Sequence, residues 1–240
     1  MGLGGNLGKV QALCFDVFGT VVDWRGTLLD ECAALGADWG IEADWPAFID
    51  DWKAGYRPAM DDVNAGRRPW TNVDVIYRER LDAIAGAHGI GGLDDAQRQA
   101  LIDIWSRSRP WPDSVDALRR LGSRYVTATL SNGNFVWLTW IAKNGGLPFD
   151  VILTAENARA YKPDPSVYGV AIENLGPAPD QVMLVACHNY DLAAGQSHGL
   201  RTAFLPRKEF GADQTTDQEP EGEWDVVATD LADLAGQLGC

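Results

Sequence analysis

Cysteine is scarce and unpatterned in this chain of 240 residues: Cys14, Cys32, Cys187 and Cys240 are far apart, and no C-x-x-C pair occurs. That spacing suggests neither a zinc site nor a redox motif, and it points to isolated reduced thiols in a cytoplasmic protein. Only three histidines are present. No apolar run approaches the roughly 18 residues of a membrane span, and the glycine-rich start, Met1 to Gly8, lacks the basic-then-apolar order of a secretory leader. Positive charge is also short, with 20 Lys and Arg against 34 Asp and Glu and a net charge of -14. A polyanion would approach against an unfavourable long-range field, so neither nucleic acid nor an anionic membrane is an expected partner. A small anionic substrate stays open, because a few buried cations outweigh a distant surface field at short range.

Hydrophobic residues make up 46% and charged residues 22%, the balance of a chain that folds around a core. Short apolar runs at Val10 to Phe15, Val126 to Leu130, Val151 to Leu153, Val182 to Ala186, Thr202 to Leu205 and Val226 to Ala228 read as buried parallel strands. Helical patterns at Ser114 to Leu121, Ser166 to Leu175 and Asp230 to Leu238 lie between or after them. This alternation predicts an α/β fold with a doubly wound, Rossmann-like parallel-sheet core.

More than a hundred residues separate the first two strands, too many for a simple crossover. Residues 25 to 39, 44 to 65, 72 to 88 and 94 to 108 carry apolar positions at helical spacing, which predicts a four-helix cap inserted after the first strand. Pro110 and Pro112 mark the return to the core. The expected division is a catalytic core of residues 1–24 and 109–240 with a helical cap of 25–108. The acidic stretch Lys208 to Trp224 reads as a solvated loop.

Chemistry collects at strand ends. Asp16 closes the first apolar run, where crevices of α/β sheets open, and Gly19 permits a tight turn beside it. Taken alone, Asp16 fits a loop-capping role equally well. Three further segments change the balance: Ser131, Asn132, Gly133 and Asn134 after the second run, Lys162 between Tyr161 and Pro163, and Cys187 to Asp191 after the fourth. They would bring two carboxylates and one ammonium together.

The segments F-D-V-F-G-T at 15 to 20, L-S-N-G-N at 130 to 134, Y-K-P-D-P at 161 to 165 and H-N-Y-D at 188 to 191 resemble, in order and spacing, the four motifs of the haloacid dehalogenase superfamily. Phe18 stands where the phosphatase branch carries a second Asp, and Phe has no oxygen to hold magnesium or move a proton. The D-x-F-G-T form resembles the 2-haloacid dehalogenase branch, which implies hydrolysis of a small halocarboxylate without metal or cofactor. Under that resemblance Asp16 is the nucleophile, Lys162 its ionic partner and Asp191 the base for ester hydrolysis. Thr20, Ser131 and Asn132 would bind the nucleophile or the substrate.

The family's cap Trp-Arg pair corresponds to Trp52 and Lys53, with Arg57 one turn on as an alternative grip on the carboxylate. Lys supplies charge but no bidentate fork. Phe18, Trp70, Asn134, His188 and Tyr190 are the expected halide and pocket residues, His188 and Tyr190 replacing the family's usual Asn and Trp. A histidine donor beside the leaving group makes fluoroacetate a candidate substrate. The competing readings are a magnesium-dependent phosphatase, a phosphonate-cleaving relative using Lys53 as a Schiff base, and a non-catalytic binder. A homodimer through helices stays open.

Overall fold

A computed structural model describes residues 7–211 and 214–240, so Met1 to Asn6, assigned above to the core, lie outside the described residues. Strand β1 (Ala12–Phe15) is followed by β2 (Val22–Asp23), then helices α1 (Trp24–Trp39), α2 (Trp45–Ala54), α3 (Tyr56–Asn64), α4 (Val73–Ile84) and α5 (Asp95–Asp103). The chain returns through β3 (Arg109–Pro110), α6 (Ser114–Gly122), β4 (Val126–Thr129), α7 (Phe135–Gly145), α8 (Ala155–Ala158) and α9 (Pro165–Leu175). It closes with β5 (Val182–Ala186), α10 (Asn189–Ser197), β6 (Arg201–Phe204), β7 (Val226–Val227) and α11 (Leu231–Gln237). No described helix is long and apolar enough to cross a membrane.

The main sheet has the order β4-β1-β5-β6-β7, all parallel. Both of its faces are covered, and the period of two along each strand divides the core. Leu13, Phe15, Met183 and Val185 pack with Leu118, Leu121, Ile141 and Leu234 on one side. Ala12, Cys14, Leu184 and Ala186 pack with Val167, Tyr168, Ala171 and Leu192 on the other. The fold is therefore the expected doubly wound α/β class.

The helical insert leaves and re-enters through the antiparallel pair of β2 and β3, with Val22 opposite Pro110 and Asp23 opposite Arg109. Asp23, Asp44, Asn72 and Asp94 each cap the N-terminus of a helix in it by accepting from backbone N–H groups. Five α-helices, rather than four, occupy the insert among the described residues. The stretch read as one helix from 44 to 65 breaks at Gly55, because Pro58 has no N–H for the carbonyl of Ala54 and its ring would clash there.

Val151 to Leu153 do not form a strand; only isolated bridges pair Ala128 with Val151 and Ser131 with Thr154. Side chains take over the ladder here. The Thr129 hydroxyl donates to Leu153 O at 2.9 Å and accepts from Leu153 N at 3.0 Å, while Asp150 accepts from Thr127 N.

The insert meets the sheet through an aromatic layer. Trp105 stacks on Trp24 and on Trp137 at centroid separations of 5.6 and 5.8 Å, and meets Trp52 edge-on at 5.5 Å. Trp24, Trp52 and Trp105 are buried. Trp105→Ala is expected to lower the unfolding free energy by about 3–5 kcal/mol in urea titration; a loss under about 1 kcal/mol would show that this layer does not hold the insert.

Candidate active site

β1 delivers Asp16 to the carboxyl edge of the sheet, where its backbone N–H donates to Val185 O at 3.0 Å. The side chain is buried apart from one face at the floor of a cavity of about 220 Å³. Around it the cavity is walled by Phe18, Trp105 and Trp137, with Lys53, Arg57, Ser131, Asn132, His188, Tyr190 and Glu209 supplying polar groups. This size suits an acid of two or three carbons better than a drug-sized ligand.

Beneath the floor, the Lys162 ammonium donates to Asp16 Oδ1 at 3.3 Å and to Asp191 Oδ2 at 2.5 Å. Thr20 donates to Asp16 Oδ2 at 2.8 Å and accepts from Cys187 N at 3.0 Å. His188 Nδ1 lies 3.1 Å from the same Asp16 oxygen. Burial opposes the charge on Asp16, but Lys162, His188 and Thr20 outweigh it and hold the carboxyl well below its usual range. Burial likewise opposes the Lys162 charge, and the two carboxylates raise its pKa regardless.

Asp191 differs from Asp16. It is fully buried, its Oδ1 accepts from the Tyr168 hydroxyl at 2.6 Å, and it does not line the cavity. Burial pushes its pKa up, with negative Asp16 adding to this and Lys162 working against it.

Ser131 and Asn132 reach the cavity as expected. Asn132 also accepts from Lys162 N at 2.8 Å, tying two motifs together. Phe18 packs where position 133 must be glycine: a Cβ there would sit 2.7 Å from the Phe18 ring. Lys53 Nζ lies 4.1 Å from the Tyr56 ring centroid and 4.8 Å from that of Trp24, a cation–π setting at the roof. Arg57 lines the cavity over the Tyr190 ring and pairs with Asp61 at 3.0 Å.

Thr20 takes the first of its two expected partners, the nucleophile: it does not line the cavity, and its short side chain is spent on Asp16 and Cys187 N. Two expected pocket contacts are corrected. Asn134 is buried as the N-cap of α7, accepting from Trp137 N at 2.8 Å, and lies away from the cavity wall. Trp70 stacks on Tyr161 at 4.8 Å rather than entering the cavity.

The solvated-loop reading of 208 to 224 also fails, at Glu209. This side chain is buried, accepts from Trp24 Nε1 at 2.7 Å and lies 2.9 Å from His188 Nε2. Burial opposes its charge, yet His188 and Lys53 hold its carboxyl below the ordinary value. The missed signal was positional: Glu209 follows the apolar run Thr202 to Leu205, and so sits beyond a strand end like the other site residues. Trp105, which no motif singles out in the sequence, also lines the cavity. Its indole N–H is the one buried side-chain polar atom without a partner among the described residues.

Asp16, Cys187 and His188 hold potential metal-ligand atoms within 4.8 Å of one another. A thiol and an imidazole do not suit magnesium, which prefers carboxylate, phosphate and water oxygens. Burial also pushes the Cys187 thiol up in pKa, away from the thiolate a softer metal needs.

A buried, ionised carboxylate facing a small cavity with cations on its far side can act as a nucleophile toward an anionic electrophile. Tyr168→Phe removes the donor to Asp191 Oδ1 and is expected to cost about 1–3 kcal/mol in urea unfolding. An unchanged midpoint would show that Asp191 does not depend on Tyr168.

The model of the haloacid dehalogenase-like hydrolases matches residues 10–199. A solved L-2-haloacid dehalogenase is 43% identical, with a TM-score of 0.93 over 95% of this chain and 98% of that one. A solved defluorinating L-2-haloacid dehalogenase is also 43% identical, with a TM-score of 0.93 over 96% of both chains. Among characterised relatives, an (S)-2-haloacid dehalogenase of Pseudomonas putida is 27% identical over 243 residues, covering 96% of this chain and 97% of its own. The chain belongs to the haloacid dehalogenase-like hydrolase family.

Proposed function

We propose that this protein hydrolyses small 2-haloalkanoic acids, chloroacetate and (S)-2-haloacids among them, to 2-hydroxy acids through an ester of Asp16. The observation that carries this reading is Phe18. It walls the cavity two residues past the carboxylate, so the group beside the nucleophile can neither bind magnesium nor protonate a phosphate leaving group. A halide leaves without a proton. The similarity to L-2-haloacid dehalogenases over nearly the whole chain supports the same chemistry.

In this reading Asp16 attacks the carbon bearing the halogen from behind, inverting a chiral centre, and water then hydrolyses the ester. Lys162 keeps Asp16 ionised, and Asp191 holds Lys162 in place. Lys53 and Arg57 attract the substrate carboxylate, Ser131 and Asn132 bind it, and Phe18, Tyr190 and His188 surround the halogen. The insert of residues 25–108 acts as a cap domain over the core. The equal similarity to a defluorinating relative supports extending the range to fluoroacetate. We place the enzyme in the cytoplasm, where its four thiols stay reduced. In a homodimer, Phe135, Val136 and Trp140, exposed apolar side chains on α7, are available for covering.

Purified protein in excess EDTA is expected to release halide from chloroacetate, fluoroacetate and (S)-2-chloropropionate. Asp16→Asn should abolish that release, and Arg57→Ala should raise KM. Phosphate release that appears only with magnesium, without any halide release, would replace this reading with the phosphatase one.

A further inference from the structure

Resting on the dehalogenase reading, the question is which group activates the water that hydrolyses the ester. Such a group must reach the Asp16 carboxyl from the cavity side. Asp191 does not meet this requirement: Tyr168 and Lys162 occupy its two oxygens, and it has no cavity surface. His188 does. It lines the cavity with Nδ1 3.1 Å from Asp16 Oδ2, and its Nε2 faces Glu209 Oε1 at 2.9 Å. Glu209 is itself anchored by Trp24 Nε1.

A second feature points the same way. Gly19 has φ +89°, and a Cβ there would lie 2.3 Å from Glu209 Oε2 and 3.3 Å from His188 Cε1. The chain therefore keeps the space beside the nucleophile free for the very carboxylate that meets the imidazole.

We propose that His188 is the general base for ester hydrolysis, that Glu209 is its positioning residue, and that Asp191 is confined to holding Lys162.

Glu209 accepts from Nε2–H, which leaves Nδ1 as the nitrogen that gains and loses a proton. In the resting enzyme His188 faces Asp16, Glu209, Cys187 and Tyr190, with Lys53 beyond Glu209 and Lys162 beyond Asp16. Burial opposes its charge. Cys187 favours that charge only as a thiolate, which its own burial disfavours, so the upward pull on the imidazole pKa rests on Glu209 and Asp16.

Alkylation forms the bond from an Asp16 oxygen to carbon and breaks the carbon–halogen bond, whose electron pair leaves with the halide. The charge on Asp16 is thereby lost. His188 then has one carboxylate partner fewer and releases its proton to solvent as the halide departs. Water bonds to Cγ of Asp16 while passing one proton to Nδ1. Collapse expels the alkoxide, which takes that proton from Nδ1 and leaves as the 2-hydroxy acid. The remaining acid proton on Asp16 moves to His188 and restores the resting pair. The sum is halide, hydroxy acid and one proton from substrate and water.

Rapid-quench chloride release and intact-protein mass with chloroacetate test this in the full-length enzyme. His188→Gln is expected to release about one chloride per site in a burst, then to hydrolyse the ester roughly 10²–10⁴-fold more slowly. One carboxymethyl group should accumulate on the peptide containing Asp16. Glu209→Gln should accumulate the same ester to a lesser degree. Because a negative partner is lost, the imidazole loses its proton more easily, and the acid limb of the kcat profile should move to lower pH. Asp191→Asn should slow the burst itself without accumulating ester.

Ester accumulation in Asp191→Asn with normal turnover in the His188 and Glu209 variants would overturn the assignment. So would loss of the burst without ester in both of those variants, or an acid limb that stays in place in Glu209→Gln. Wild-type enzyme that releases no halide from any substrate would overturn the dehalogenase reading itself, a result separable from all of these.

Discussion

The Lys162 ammonium, buried between Asp16 and Asp191, is the interaction on which the site depends. Desolvating three ionic groups costs several kcal/mol per ion, and pairing repays it only when every remaining oxygen and proton finds a partner. Here the neighbours comply: Tyr168 completes Asp191, while Thr20 and His188 complete Asp16. The same arrangement makes the two carboxylates chemically different. Asp16 keeps one face on the cavity and stays ionised; Asp191, sealed behind the lysine, is pushed upward in pKa by burial and serves as counter-ion.

The cluster exists because parallel strands end side by side. β1, β4, β5 and β6 stop at one edge, and the segments that follow them carry Asp16, Ser131, His188 and Glu209 to a common point. Lys162 arrives from the loop after α8, held by Asn132 through its backbone N–H. The insert contributes the roof. Its aromatic layer lowers the local polarity around Asp16, and Lys53 and Arg57 add the positive charge that an anionic substrate requires. A strongly acidic protein thus presents a cavity with cations at its roof and beneath its floor.

Much of this was legible in the sequence, and the exceptions share a cause. Strand ends were readable because fully buried parallel strands are continuous apolar runs, and the polar segments beyond them, each open to a capping role alone, carry meaning together. Val151 to Leu153 looked like a strand by the same rule, yet Thr129 satisfied that backbone from a side chain, which a pattern of apolar residues does not encode. Asn134, next to the cavity residue Gly133, and Trp70, in the loop between α3 and α4, turned elsewhere, one to cap α7 and one to stack on Tyr161. Glu209 was hidden for the opposite reason: it stands between Lys208 and Phe210 in a segment with no helical or strand period, and its partners, Trp24 and His188, are 185 and 21 residues away.

The sequence by itself determined the α/β class, the place of the insert and the identity of the Asp16, Lys162 and Asp191 cluster. The first two follow from local periodicity, and the cluster from the order and spacing of the four motif segments. Only the tertiary structure decided which polar groups face the cavity and which stand behind it, and that the imidazole at 188 lies between two carboxylates. Orientation of that kind is set by packing between segments far apart in the chain, where a rotation of one side chain exchanges a ligand contact for a structural bond at little cost in composition or pattern.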